Sequence, residues 1–343
     1  MKRINNSKIN TIIIFILTII ILFLLLRKDF FDVLSYIINS NYLFLLCAIL
    51  TYFISFICEQ ITLYFLTINI DKRIKFKSIL KIGAITKFFN GITPLSSGGQ
   101  PYQVYELHKR GVAISKGTSI VIQNYILFQI SLILLAIISL ITNKIFNLFT
   151  FYPILKHMTI IGFSVNFIIL IFLLIVGFSK KFNRGVVLSI VKVLNKIRLV
   201  KDVEYVNKKW TKICNEYHEG SQSLLKSKKT FILGFIFQFI SLACNYFIVY
   251  SLAKSLDITG INALGAITTS TYVFLTSCYV PLPGASGGVE FAFLSFFGNF
   301  ISGAKLKSLL LTWRLITFYM PCILGAILLN FGGKSKNTLD KEN

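Results

Sequence analysis

Charge is what this sequence has least of. Only 14% of its 343 residues are Asp, Glu, Lys or Arg, where a soluble domain carries about 25%. The scarcity is uneven. No charged residue falls in Ile9–Leu26, Gly117–Asn143, Met158–Ser179 or Thr230–Ala253. Each run has at least the ~18 residues that a helix needs to cross ~30 Å of hydrocarbon. A soluble fold is thereby excluded. Strict polar–apolar alternation is lacking too, which excludes a transmembrane barrel. Helices remain, because backbone groups in lipid must bond within their own segment.

Metal-binding patterns are also missing. The three histidines, His108, His157 and His218, form no HExxH, and the six cysteines form no CxxC. Five of those cysteines lie in apolar segments and read as small buried hydrophobes. No metal or cofactor is expected, and no catalytic residue is assigned.

Acidic residues are few: 13 against 36 basic ones, for a net charge of +23. Such a balance can signal nucleic acid, but no nucleic-acid motif accompanies it, and no such partner is expected. The basic residues read instead as topology, since cytoplasmic loops of membrane proteins are rich in Lys and Arg. The first apolar run looks like a signal peptide. Arg27-Lys28-Asp29 follows it where small residues would mark cleavage, so it reads as a retained helix.

The remaining crossings read as Tyr42–Thr67, Gly117–Thr142, Met158–Phe178, Thr230–Ala253 and Lys307–Phe331. Two further apolar segments are broken. Ile79–Leu107 contains Thr93-Pro94-Leu95-Ser96-Ser97-Gly98-Gly99-Gln100-Pro101, and Ile258–Ala304 contains Pro281-Leu282-Pro283-Gly284-Ala285-Ser286-Gly287-Gly288. Prolines and glycines so placed interrupt a helix interior. With the amino terminus inside and both broken segments returning to the side they entered, inside segments hold 27 basic residues and outside segments 7. That split supports six crossings with both termini cytoplasmic.

Both breaks have the form P-x-x-S-G-G: Pro94 to Gly99 and Pro283 to Gly288. Crossing, hairpin and crossing over about 42–142 are then matched, in opposite orientation, over about 230–331. Inverted repeats with broken helices are a transporter arrangement. The expected architecture is an all-α integral membrane protein with about six spanning helices. Two re-entrant hairpins form the repeat. One polytopic domain covers 1–333, with a polar cytoplasmic segment at 180–229 and a short cytoplasmic tail at 334–343. The alternative is that the prolines merely kink ordinary spanning helices.

Ionisable residues lie in or beside the apolar runs: Glu59, Lys87, Glu106, Glu290 and Arg314. A charge at the bilayer centre costs roughly 2.5–3.5 kcal/mol on the lenient insertion scale. Each must pair, face a cavity or snorkel to the interface. Arg314 has Glu290 as its natural partner, or else Glu59. Amides around Ser97-Gly98-Gly99 and Ser286-Gly287-Gly288 are candidate donors to an anionic group. The Ser97 and Ser286 hydroxyls either add contacts or bond back to the chain.

The loop Pro94–Pro101 with downstream Glu106, the loop Pro281–Glu290 and the late Arg314 resemble the membrane domain of lysylphosphatidylglycerol synthases. That domain also occurs alone, as a flippase-like family. The resemblance spans about Ile12 to Phe331. In full-length members a soluble carboxy-terminal domain transfers lysine from lysyl-tRNA to phosphatidylglycerol, and the membrane part flips the product. Because this chain stops at Asn343, soon after its last crossing, the resemblance implies the stand-alone form without lysyl transfer. Some archaeal relatives are linked to polyprenol-bound sugar transfer. The expected function is translocation of an anionic or zwitterionic phospholipid, or of a lipid-linked headgroup, in a bacterial plasma membrane. The alternatives are a lysyltransferase-related enzyme drawing on Glu59, Glu106 and Glu290, or a scaffold that docks a separate soluble synthase through Lys180–Lys229. Oligomerisation stays open.

Overall fold

The computed structural model of the protein describes residues 30–148, 153–178 and 227–331, together with Lys208 and Thr211. The expected first crossing Ile9–Leu26, nearly all of the polar segment 180–229 and the tail 334–343 lie outside the described residues. The described part is helical, with no strand. Five of its helices are long and apolar enough to cross a membrane. They fall on the five crossings read downstream of Ile9–Leu26.

Helix α1 is Phe30–Ile38 and α2 is Tyr42–Ile68. The Asn41 side chain accepts the Leu43 N–H and so starts α2. Leu43, Leu46, Leu50, Ile54 and Ile57 of α2 are exposed, whereas Ala48, Tyr52, Ser55 and Thr62 are buried. A soluble helix would reverse this. In lipid, outward leucines cost nothing, and small or hydroxylated residues draw helices together.

The first broken segment forms α3 (Phe76–Ile92) and α4 (Gly99–Lys109), and α5 (Ile114–Phe146) and α6 (Pro153–Phe178) follow. Helix α7 is Lys228–Ser255. The second broken segment forms α8 (Ala263–Ser277) and α9 (Gly288–Phe297). The four arms have 17, 11, 15 and 10 residues, each short of the ~20 that span a bilayer. The last crossing is α10 (Gly303–Arg314), a π turn (Leu315–Tyr319) and α11 (Met320–Phe331).

Helices α2 and α7 pack antiparallel. Ser55 and Ser241 each donate a hydroxyl to the other's carbonyl. Farther along, Thr62 Oγ1 donates to Gly234 O at 3.1 Å. Glycine brings two other helices against the hairpin arms. A side chain at Gly162 of α6 would collide with the Leu275 carbonyl of α8, and one at Gly325 of α11 would come within 2.5 Å of Ala84 O in α3. Behind the second hairpin lies an aromatic core of Tyr272, Phe293, Phe296 and Phe297. Phe293 stacks on Trp313 with centroids 4.9 Å apart.

Ahead of α2, residues 30–38 form the short helix α1. Val33 is buried there, and the Asn41 N–H bonds Ser255 O at 2.7 Å. The last crossing is not one regular helix, because the Met320 N–H reaches back five residues to Leu315 O.

Candidate functional site

The two breaks meet. Pro94 and Pro283, the first residues of the two P-x-x-S-G-G motifs, form an isolated antiparallel bridge. The loops on either side are built alike. Leu95 and Ser96 have φ of 53° and 52°; Gly284 and Ala285 have 60° and 50°. Two successive positive φ values mark a type I′ turn. Three of these four residues carry a Cβ that disfavours the left-handed region, so surrounding structure must hold them there. Each loop closes with the same bonds. Ser97 N donates to Pro94 O at 3.2 Å, and Ser286 N to Pro283 O at 3.2 Å. Ser97 Oγ donates to Pro94 O at 2.9 Å, and Ser286 Oγ to Pro283 O at 3.0 Å.

The serine hydroxyls thus bond back to the chain. The Gly98, Gly99 and Gly287 amides are engaged as well. Gly98 N donates to Thr93 Oγ1 at 2.8 Å and Gly99 N to Asn90 Oδ1 at 2.9 Å. In the second loop the position of Thr93 is taken by Leu282, which offers no side-chain acceptor. Gly287 N donates to Glu290 Oε2 at 2.6 Å instead. Here the loops diverge: Gly98 has φ −79°, Gly287 +87°. Glu290 sits in the first turn of α9 and reaches back to the residue before it, half of a capping box.

Glu290 Oε1 also accepts Arg314 Nε at 2.8 Å, and Nη2 lies 2.6 Å from the same oxygen in the ion pair. Nη2 donates to Gly284 O at 3.1 Å. Both residues are 4% exposed. Phe318 covers the guanidinium, its ring centroid 4.7 Å from Cζ. The ring fits there because Gly284 has no side chain; a Cβ at that point would collide with it. The π turn after Arg314 includes Phe318, and such turns recur at functional sites.

A second pair lies nearby. Lys87 Nζ donates to Glu59 Oε2 at 2.5 Å, joining α3 to α2. The Cys322 thiol bonds Lys87 O at 3.7 Å. Read from the sequence as a small buried hydrophobe, it joins α11 to the backbone of α3 beside this pair.

Of the residues singled out in the sequence, Pro94, Ser97, Gly98, Gly99, Pro283, Ser286, Gly287, Gly288, Glu290 and Arg314 belong to the paired loops or the ion pair between α9 and α10. Pro281 precedes the second turn. Pro101 sits in the first turn of α4, where a missing N–H costs no helical bond. Glu106 is different: it pairs with Arg110 and Lys109 one turn along its own helix. Thr93, Asn90 and Phe318 were overlooked. The spacing from Arg314 to Phe318 is a helical turn and could have marked the ring as its cover.

Broken helices meeting beside a buried ion pair, within a bundle of long apolar helices, define a polytopic α-helical membrane protein with an internal polar site. The chain belongs to the family described as the lysylphosphatidylglycerol synthase TM region, which matches residues 11–325. It is also similar to a UPF0104 membrane protein of Archaeoglobus fulgidus, 25% identical over 316 residues that cover 87% of this chain and 89% of the relative. The chain is a multi-pass membrane protein of a lipid-related family.

Proposed function

We propose that this protein moves an anionic or zwitterionic lipid headgroup between leaflets and makes no new lipid. The observation that carries the proposal is the meeting of Pro94 with Pro283 beside the buried pair Arg314–Glu290. Irregular backbone at membrane depth is tolerated where protein or a wet cavity satisfies it. Polar groups held there serve substrate passage more readily than stability, since an apolar pair would fold as well.

The proposed architecture is an inverted repeat of about 42–142 and 230–331, with the loops near the midplane and both termini cytoplasmic. The matched turn geometry of the two loops supports it, as does the reciprocal Ser55–Ser241 contact between corresponding crossings. Acyl tails stay in lipid, and the headgroup passes between the helices.

The test is reconstitution into vesicles carrying fluorescent phosphatidylglycerol, phosphatidylethanolamine or lysylphosphatidylglycerol. Leaflet exchange above that of protein-free vesicles is expected for at least one of them. Unchanged exchange across the panel, with folded protein verified, favours a scaffold. A new lipid formed from lysyl-tRNA and phosphatidylglycerol favours an enzyme.

A further inference from the structure

The Ser97, Gly98, Gly99, Ser286 and Gly287 amides each have an internal acceptor, so an anion that binds any of them must displace it. The acceptors differ in how they can be displaced. Thr93 Oγ1, Asn90 Oδ1 and the carbonyls of Pro94 and Pro283 cannot change charge. Glu290 can. Its Oε1 accepts Arg314 Nε and lies 2.6 Å from Nη2, and its Oε2 takes the Gly287 amide. Two N–H donors and the guanidinium charge therefore converge on one carboxylate. That is the donor set of an anion site, filled by the protein's own acid. There is open space beside Gly287, where a side chain would meet nothing within 4 Å.

On the translocation reading above, we infer that Glu290 is a stand-in ligand. A phosphate group takes its place on Arg314 and Gly287 N when Glu290 leaves as the neutral acid. A guanidinium is a fixed cation, and a buried one needs an anion beside it. Before exchange the site holds Arg314 and the Glu290 carboxylate. After exchange it holds Arg314, the bound anion and a protonated Glu290. The net charge of the site is the same in both states, and one proton enters with each anion.

Other charged and titratable groups approach from the packed elements. Tyr319, in the π turn, lies within electrostatic reach of Glu290 and Arg314. Tyr272 of α8 is turned toward Phe296 and Asn143. From α2, Glu59 is held by Lys87 of α3, and Tyr52 lies within electrostatic reach of Glu59 and Cys322. Among the described residues, Glu290 is the carboxylate bonded to Arg314.

The decisive variant is Glu290→Ala, which empties the site but leaves its donors. In detergent at pH 7 and constant ionic strength, formate should raise its Tm saturably and leave the wild-type Tm unchanged. A folded Glu290→Ala protein indifferent to formate overturns the anion site. Should that variant not fold, wild type and Glu290→Gln carry the test. In weakly buffered solution with a pH indicator, wild type should take up about one proton per anion bound, and Glu290→Gln none. Binding without uptake overturns the exchange. The two ligands used are dihexanoyl phosphatidylglycerol and inorganic phosphate. A response to the first alone assigns the site to a lipid headgroup; a response to the second alone assigns it to free phosphate. In vesicles, wild-type lipid exchange that does not vary with pH removes the proton coupling and leaves translocation standing. Formate rescue of Glu290→Ala without lipid exchange by wild type keeps the anion site and removes translocation.

Discussion

Ser55 and Ser241 each donate a hydroxyl to the other's backbone carbonyl, at 2.8 Å in both directions. One residue lies on the crossing before the first hairpin and the other on the crossing before the second. Pro94 and Pro283 are paired between the hairpins as an antiparallel bridge. A two-fold axis relating the proposed repeat units would pass through both. Ser55→Ala or Ser241→Ala should each cost about 0.6 kcal/mol, the mean for such bonds in lipid. Ser55→Leu should cost more by forcing α2 and α7 apart. Unfolding in mixed micelles measures both, and a neutral Ser55→Leu would show that the close approach is dispensable.

The ion pair between α9 and α10 is expected to matter most when half of it is removed. Arg314→Met leaves a buried carboxylate whose remaining donor is Gly287 N, at a cost of about 3–5 kcal/mol. Arg314→Met combined with Glu290→Leu removes both charges and should recover much of that loss. Leaflet exchange should stay absent in the double variant even where its stability returns. An active double variant would assign the pair to folding alone.

Gly162 and Gly325 let two helices approach backbone carbonyls of the hairpin arms, Leu275 O and Ala84 O. Neither carbonyl can turn aside as a flexible side chain would. Alanine at either position should therefore overpack the contact by about 1–3 kcal/mol. Thermal unfolding in detergent reads the loss. An unchanged Tm for both would mean that the helices slide apart without penalty.

The proposed topology predicts where reporters fused to the chain will act. A reporter after Lys77 should report cytoplasm, and reporters after Lys144 and Asp257 the exterior, as the excess of basic residues inside requires. A cytoplasmic signal at Asp257 would mean that a broken segment crosses fully, and the inverted repeat would be lost.

In the connection between α2 and α3, Arg73 donates to Asp71 from Nε at 3.0 Å and from Nη2 at 2.7 Å, and its amide adds a third bond. The side-chain bonds lead in lowering the Asp71 carboxyl from 3.8 to about 2. A depressed carboxyl supports the folded form above its ordinary value, and the support fades as pH falls through about 2. The carboxyl chemical shift of Asp71 should titrate near that value, and Arg73→Ala should move the midpoint up toward 3.8. An unmoved midpoint would remove the pairing. Arg73 is mostly exposed, so global stability should change little.

Much of the fold was legible in composition because hydrocarbon leaves the backbone few choices. Charge-free runs place the crossings. Two proline- and glycine-rich motifs place the breaks, since no helix interior accommodates them. The pairing of Arg314 with Glu290 was legible too, because two opposite charges in apolar surroundings have few other partners. Glu106 was harder to place. Its basic neighbours at helical spacing were visible, but its nearness to the first loop drew more weight.

Only the tertiary structure decided which donors are engaged. In the sequence Gly98 and Gly287 hold the same place in the same motif. Their amides go to different acceptors because Thr93 stands behind one and Leu282 behind the other, leaving Glu290 to fill the gap. The left-handed turns at Leu95-Ser96 and Gly284-Ala285 were also beyond a linear reading, since three of those residues disfavour them. What holds the two loops side by side is a contact between segments almost two hundred residues apart, Pro94 against Pro283. Local pattern settled which segments break, and long-range packing settled that the breaks face one another.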